Sequence, residues 1–406
     1  MDANSSENRD RPTYSQTELP LGSGRESIGN SRNLLAEDIV AQGLSYLEQF
    51  KALHDDVRTS WNENQRPGNL KSIATLLASA IMSTVHGTQP YGLDPITKNA
   101  QDVLRKHFFL PEADVFFVVS GTAANALALS YYVSPGDIVL TPSCSHINTL
   151  EANAPERFRP GIRVMACGEK GKIKISDIHQ TLRQMPSAHA EQKAAIRVVM
   201  ISNPNECGET YGVEEIRELR DWCDKHNVAL GIDGARALFQ AHNFGEELGA
   251  AFQLADFVTL SATKIGGILG AAIIFPHGVA DHGRFRRELK GYGHILDSTS
   301  LIASQFIGLF SDNQVTYAAQ QAVALAQMLR SRLSELGLSV YPGASNCVLV
   351  HASPELAHRM SEYHLFYSWG ATDDGQELLR FMIAVTHEEQ DVQRLISDFR
   401  HIIDGA

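Results

Sequence analysis

Cysteine is scarce in this sequence, with five residues in 406, at positions 144, 167, 207, 223 and 347. None forms a CxxC pair or a zinc-like spacing, so a disulfide-stapled scaffold is excluded, no metal site is expected, and reduced thiols of a cytoplasmic protein are. Long apolar runs are missing too. No stretch of about 18 apolar residues occurs, and no membrane span is expected. Positive charge is short: 35 Lys and Arg stand against 47 Asp and Glu, for a net charge of −12. Nucleic acid and anionic membranes favour basic surfaces, so neither is expected as a partner. What is left, 43% hydrophobic and 20% charged residues, is the composition of a globular protein with room for two or three domains.

Residues 1–33 are polar, rich in Ser, Asn and Arg, and lack the apolar block of a signal peptide; they read as a disordered tail. Residues 34–60 show helical spacing, with apolar residues from Leu34 to Leu53 recurring every three or four positions, and a second such pattern runs from Ile73 to Val85. Together they predict an N-terminal helical segment over 34–86. Short apolar runs then alternate with amphipathic stretches from 87 to 310. "DVFFVVS", "DIVLT", "IRVVMIS", "VALGID", "DFVTLS" and "GAAIIF" read as strands. "GVEEIRELRDWCDKHN" reads as a helix with Val213, Ile216, Leu219 and Cys223 on one face. Strands separated by helices of this length predict an α/β domain, a mostly parallel central sheet flanked by helices. After about residue 310 a long helix (Thr316 to Leu336) leads into "LSVYPGASNCVLVHA", another helix, "ELLRFMIAV" and a last helix. That layout predicts a smaller C-terminal α+β domain over 311–406.

Ligands of such sheets sit at the carboxyl ends of the strands, and four strand ends carry chemistry. Ser120, Gly121 and Thr122 stand between a strand and a helix, where free backbone N–H groups can cradle an anion or where Ser simply caps the helix. His146 follows "DIVLT" in a polar loop. Asp233 and Arg236 leave the end of an apolar strand, where isolated charges are expensive unless they pair or face a ligand. Lys264 lies in "SATKIGG", among small residues rather than on a solvated face, and a lysine held there can lose its proton and form an imine. An anion cradle, a flat ring, a carboxylate and a lysine together match the needs of pyridoxal 5′-phosphate: phosphate, ring face, pyridinium nitrogen and aldehyde.

On these residues the sequence resembles the fold-type I pyridoxal-phosphate enzymes. Within them it is most similar to the threonine aldolase and β-eliminating lyase family, closest to the low-specificity L-threonine aldolases. "SGTAAN", "SHINTLEANAPE", "DGARA" and "SATKIGG" occur in the family's order, and Asp233 and Lys264 are 31 residues apart. The resemblance implies a Schiff-base role for Lys264, a pyridine-nitrogen contact for Asp233 and a stacking role for His146. Gly121 and Thr122 would bind the cofactor phosphate, Ser120 and Thr263 would contact the cofactor, and Arg236 and Arg380 would hold the substrate α-carboxylate. It also implies a homodimer or homotetramer with active sites at the subunit boundary.

The chain departs from the family at two places. "GNLKSIATL" (68–76) stands where the family carries an Arg-Ser-Asp-Thr type stretch, and Asp297, Ser298 and Ser300 stand where basic residues commonly reach a neighbour's phosphate. His294 or Lys290 are the substitutes within reach. The expected reaction is cleavage, or formation, of the Cα–Cβ bond of a β-hydroxy-α-amino acid, with glycine and an aldehyde as the cleavage products. His146, or Glu206 acting through water, is the candidate base. β-Elimination, another Cα reaction in a specialised biosynthetic pathway, or a catalytically dead binding homologue are the alternatives.

Overall fold

The computed structural model describes residues 59–60, 90–168, 171–185, 194–240 and 245–405. All of them fall within one compact unit, residues 58–406. The tail expected over 1–33 and the "GNLKSIATL" stretch lie outside the described residues. Of the helical segment expected over 34–86, only Thr59–Ser60 is described. It is a two-residue strand paired parallel with His364–Leu365, so a backbone partner distant in sequence overrides local helical spacing there.

Seven strands form the main sheet: β1 (Asp114–Val118), β2 (Ile138–Thr141), β3 (Arg163–Ala166), β4 (Ile196–Ser202), β5 (Ala229–Asp233), β6 (Phe257–Ser261) and β7 (Ala271–Phe275). Their spatial order is β1-β7-β6-β5-β4-β2-β3. The pairs among β2 to β6 are parallel, and β7 runs antiparallel to both of its neighbours. The expectation of a mostly parallel sheet flanked by helices holds.

Burial on both faces explains the unbroken apolar runs. Val115 and Phe117 of β1 join one core cluster while Phe116 and Val118 join the other; Val199 and Ile201 of β4 face away from Val198 and Met200 in the same manner. Strands covered on one side only would alternate apolar and polar residues. β3 carries no strand signal in the sequence, because an edge strand with exposed Arg163 and Ala166 lacks that apolar signature.

Helix Gly121–Tyr132 is buried on almost every side, from Ala123 to Ser130, which is why small residues dominate it. Helix Val213–His226 instead buries only Ile216, Leu219, Trp222 and Cys223. Helix Gln314–Glu335 leads to an antiparallel three-stranded sheet: β8 (Cys347–Ala352), β9 (Tyr367–Ala371) and β10 (Glu377–Met382), ordered β9-β10-β8. Among the described residues no helix is long and apolar enough to cross a membrane.

Candidate active site

The carboxyl ends of β1, β2, β4, β5 and β6 converge on one edge of the sheet. They deliver, in that order, Ser120 with Gly121 and Thr122, then His146, Glu206, Asp233 and Lys264. A cavity of about 530 Å³ opens there, lined by Gly121, Thr122, His146, Glu206, Asp233, Arg236, Thr263 and Lys264 among others. A second cavity of about 540 Å³ is lined by Cys144, Thr149, Leu150, Tyr367, Ser368, Trp369 and Arg380. His146, Arg236 and Lys264 line both cavities and so stand at their junction.

Each position has a local cause. Ser120 Oγ accepts from Ala123 N at 3.2 Å and caps helix Gly121–Tyr132, whose first-turn N–H groups lack intrahelical acceptors and present a positive dipole end. Ser120 itself lies outside both cavity linings; Gly121 and Thr122 are the cradle residues that line one. Thr263 Oγ1 lies 3.0 Å from Ser261 Oγ. Lys264 sits in a single 3-10 turn, Thr263–Ile265, closed by Gly266 at φ +95°. The next glycine permits that turn to pack: a Cβ on Gly267 would lie 2.7 Å from Ala262 Cβ and 2.8 Å from its carbonyl oxygen.

Asp233 is buried. Its Oδ1 accepts from Ala235 N at 3.0 Å and its Oδ2 from Asn125 Nδ2 at 3.0 Å. The same Asn125 amide donates to Glu151 Oε1 at 2.8 Å, and Asn125 Oδ1 accepts from Thr259 Oγ1 at 2.7 Å. Glu151 Oε1 also lies 2.8 Å from His146 Nδ1. A continuous chain therefore runs His146–Glu151–Asn125–Asp233. Asn125 and Glu151 went unassigned in the sequence, although both stand inside the quoted motifs. The only sequence signal for them is an amide inside an otherwise apolar helix and an acid five residues after a histidine.

The electrostatics follow from burial and from these partners. Burial pushes the His146 pKa down, but Glu151, Asp233 and Glu206 outweigh it and the net shift is upward. Burial pushes the Glu151 carboxyl up, against its hydrogen bonds from His146 and Asn125. Glu206 is 2% exposed. Burial and the Asp233 charge push its carboxyl up, with Arg236, His146 and Arg380 opposing. Its Oε2 has no hydrogen-bond partner among the described residues.

Arg380 is 3% exposed, with its guanidinium 4.3 Å from the Trp369 ring centre and Nε donating to Cys347 Sγ at 3.4 Å. Its Nη2 is buried without a hydrogen-bond partner among the described residues. Such an orphan cationic donor is expensive unless an anion completes it. His294 and Lys290 line neither cavity, and Lys290 Nζ instead lies 4.0 Å from the Tyr91 ring centre. Among the described residues no group of three His, Cys, Asp or Glu could hold a metal ion.

The residues present fit pyridoxal phosphate. Gly121 and Thr122 stand at the N-terminal end of a helix, where an anion is favoured, Asp233 is a buried carboxylate, His146 offers a flat ring and Lys264 an amine, all around one cavity.

Residues 72–366 match the Beta-eliminating lyase family. The chain is 28% identical over 353 residues to the low specificity L-threonine aldolase of a Pseudomonas species, covering 83% of this chain and 97% of that one. It is 27% identical over 331 residues to the low specificity L-threonine aldolase of Pseudomonas aeruginosa, covering 78% and 90%. The fold matches the Leishmania major threonine aldolase structure with a TM-score of 0.77 at 24% identity, over 85% of this chain and 99% of that one. By the match over 72–366, this chain belongs to the β-eliminating lyase family.

Proposed function

We propose that this protein is a pyridoxal-phosphate-dependent carbon–carbon lyase that splits a β-hydroxy-α-amino acid into glycine and an aldehyde. The observation that carries the reading is the junction: His146, Arg236 and Lys264 each line both the cavity that fits the cofactor and the chamber beyond it. The relatives named above as L-threonine aldolases point to the same chemistry.

Gly121 and Thr122, with Thr263, would hold the cofactor phosphate, and Ser120 shapes that cradle by capping its helix. Lys264 would hold the aldehyde carbon, Asp233 the ring nitrogen and His146 one face of the ring. Bound there, the cofactor supplies a sink for the electron pair left at Cα. Arg236 and Arg380 orient the substrate carboxylate, two guanidiniums fixing one planar anion. His146 Nε2 accepts the β-hydroxyl proton as the Cα–Cβ bond breaks, and the aldehyde leaves. Glu206, acting through water, is the alternative base in place of His146. A proton returned to Cα completes glycine.

The test is direct. Purified protein incubated with cofactor and L-threonine or L-allo-threonine should yield aldehyde and glycine in equal amounts. Ammonia and a keto acid would mark β-elimination instead, and neither pair of products would sink the lyase reading. We further propose a homodimer or homotetramer with the site at the subunit boundary, to be checked by light scattering. Free thiols at all five cysteines are in keeping with a cytoplasmic location.

A further inference from the structure

We propose that Cys144 and Cys207 form a reversible disulfide in response to a hydroperoxide, and that this bond switches the neighbouring site off, an effect that rests on the lyase reading. Three observations converge on the pair. Cys167, Cys223 and Cys347 are buried, whereas Cys144 and Cys207 are both partly open to solvent. The exits of two strands bring these two side chains into hydrogen-bonding contact, and their surroundings hold them there. The Gly171 carbonyl oxygen lies 4.0 Å from Cys144 Sγ and accepts from Asn205 Nδ2 at 2.8 Å, while Asn205 Oδ1 accepts from Cys207 N at 3.0 Å. Finally, Cys144 lines the second cavity two residues before His146, and Cys207 directly follows Glu206. Turning their contact into a covalent bond draws the exits of β2 and β4 together and displaces both candidate bases.

The contact also orders the chemistry. Cys144 donates, which pulls the Cys207 pKa down and pushes the Cys144 pKa up. Cys207, as thiolate, attacks one peroxide oxygen. The O–O bond breaks, leaving a sulfenic acid on Cys207 and a hydroxide or alkoxide that a solvent proton neutralises. Cys144 sulfur then attacks Cys207 sulfur; the S–S bond forms, the S–O bond breaks, and water leaves with the Cys144 proton. Two electrons pass from the thiols to the peroxide. Cys347 packs in the same small apolar cluster as Cys207, but it is 2% exposed. Its sulfur is already engaged by Arg380 Nε at 3.4 Å and by the Glu206 carbonyl oxygen at 3.6 Å. A transient, sensing disulfide is also the kind that a reducing compartment permits.

The experiment exposes the cofactor-loaded full chain to stoichiometric hydrogen peroxide, then counts thiols and maps peptides by mass spectrometry. Two of the five thiols should be lost, in a linked pair of peptides carrying Cys144 and Cys207. Aldehyde release from L-threonine should fall about tenfold or more in kcat/KM, since small misplacements of reacting groups carry large penalties. Dithiothreitol, removed before assay, should restore both the thiols and the rate. Cys144→Ser should stop at a sulfenic acid on Cys207, trapped by dimedone, and Cys207→Ser should keep its own untreated rate through the same exposure. No linked pair in the parent chain, a Cys207–Cys347 link in its place, or oxidation that dithiothreitol does not reverse would overturn the dithiol. A linked chain as active as the reduced one would overturn the switch. The peptide map and thiol count need no turnover, so they separate this proposal from the cleavage reading. A reversible Cys144–Cys207 bond in a chain that releases no aldehyde even when reduced upholds the dithiol and removes the lyase reading.

Discussion

His146 Nδ1 lies 2.8 Å from Glu151 Oε1, and that oxygen also accepts from Asn125. An acceptor at Nδ1 fixes the neutral ring in its Nδ1–H form and leaves Nε2 as the lone pair. It also stabilises the imidazolium, which contributes to the upward shift of the His146 pKa. Replacing Glu151 with Gln keeps the shape but removes the charge. If His146 is the base, kcat should fall by about tenfold to a hundredfold. The sign on pH follows: loss of an anionic partner disfavours the cation, the histidine pKa falls, and the acid limb of the kcat profile moves to lower pH. A limb that stays in place under Glu151→Gln would take the proton-acceptor role away from His146.

Asn125 is the one amide between two carboxylates, donating to Glu151 at 2.8 Å and to Asp233 at 3.0 Å. Asn125→Ala leaves both acceptors short of a donor and Thr259 Oγ1 short of its acceptor, all in buried surroundings. The expected loss of stability is about 1–3 kcal/mol. Calorimetry on the cofactor-free protein checks it, since there no ligand masks the change.

How much of this was readable beforehand depends on distance along the chain. Six strands of the main sheet were legible because burial on both faces writes continuous apolar runs. Lys264, Asp233 and His146 were legible because charge at the exit of such a run needs a reason. The Asn125 links were not: they join residues 26 and 108 positions apart, and nothing local in "SGTAAN" says which way the amide points. Cys144 and Cys207 looked unrelated in the sequence. The exits of β2 and β4 bring these two thiols into a hydrogen-bonding pair, which pulls the Cys207 pKa down. Strand β9 stayed hidden because "YSWGA" is mostly exposed and carries no burial pattern.

Arg380 is wedged between Trp369 and Cys347 with one donor left over. A lysine keeps the charge but loses both the planar fork and the stacking on Trp369. Arg380→Lys should therefore raise KM with little change in kcat, lowering kcat/KM by about tenfold to a hundredfold. Steady-state kinetics with the preferred substrate reads the split. A fall in kcat alone would place Arg380 away from the carboxylate.

The turn that carries Lys264 offers the sharpest geometric test. Gly267 N donates to Ala262 O at 2.8 Å, and a methyl group on Gly267 would stand 2.7 Å from Ala262 Cβ. Backbone lies on the other side, so the turn must move rather than a flexible side chain. Moving it displaces the Lys264 amine from the cavity shared with Asp233, while the surrounding strands β6 and β7 stay paired. Gly267→Ala should then fold but bind pyridoxal phosphate about tenfold or more weakly, since small misplacements of a reacting group carry large penalties. Titrating the apoprotein with cofactor and following the violet absorption band measures this. Lys264→Ala, in the same titration, should give no such band at any concentration. If Gly267→Ala titrates like the parent, the turn is not what positions the lysine.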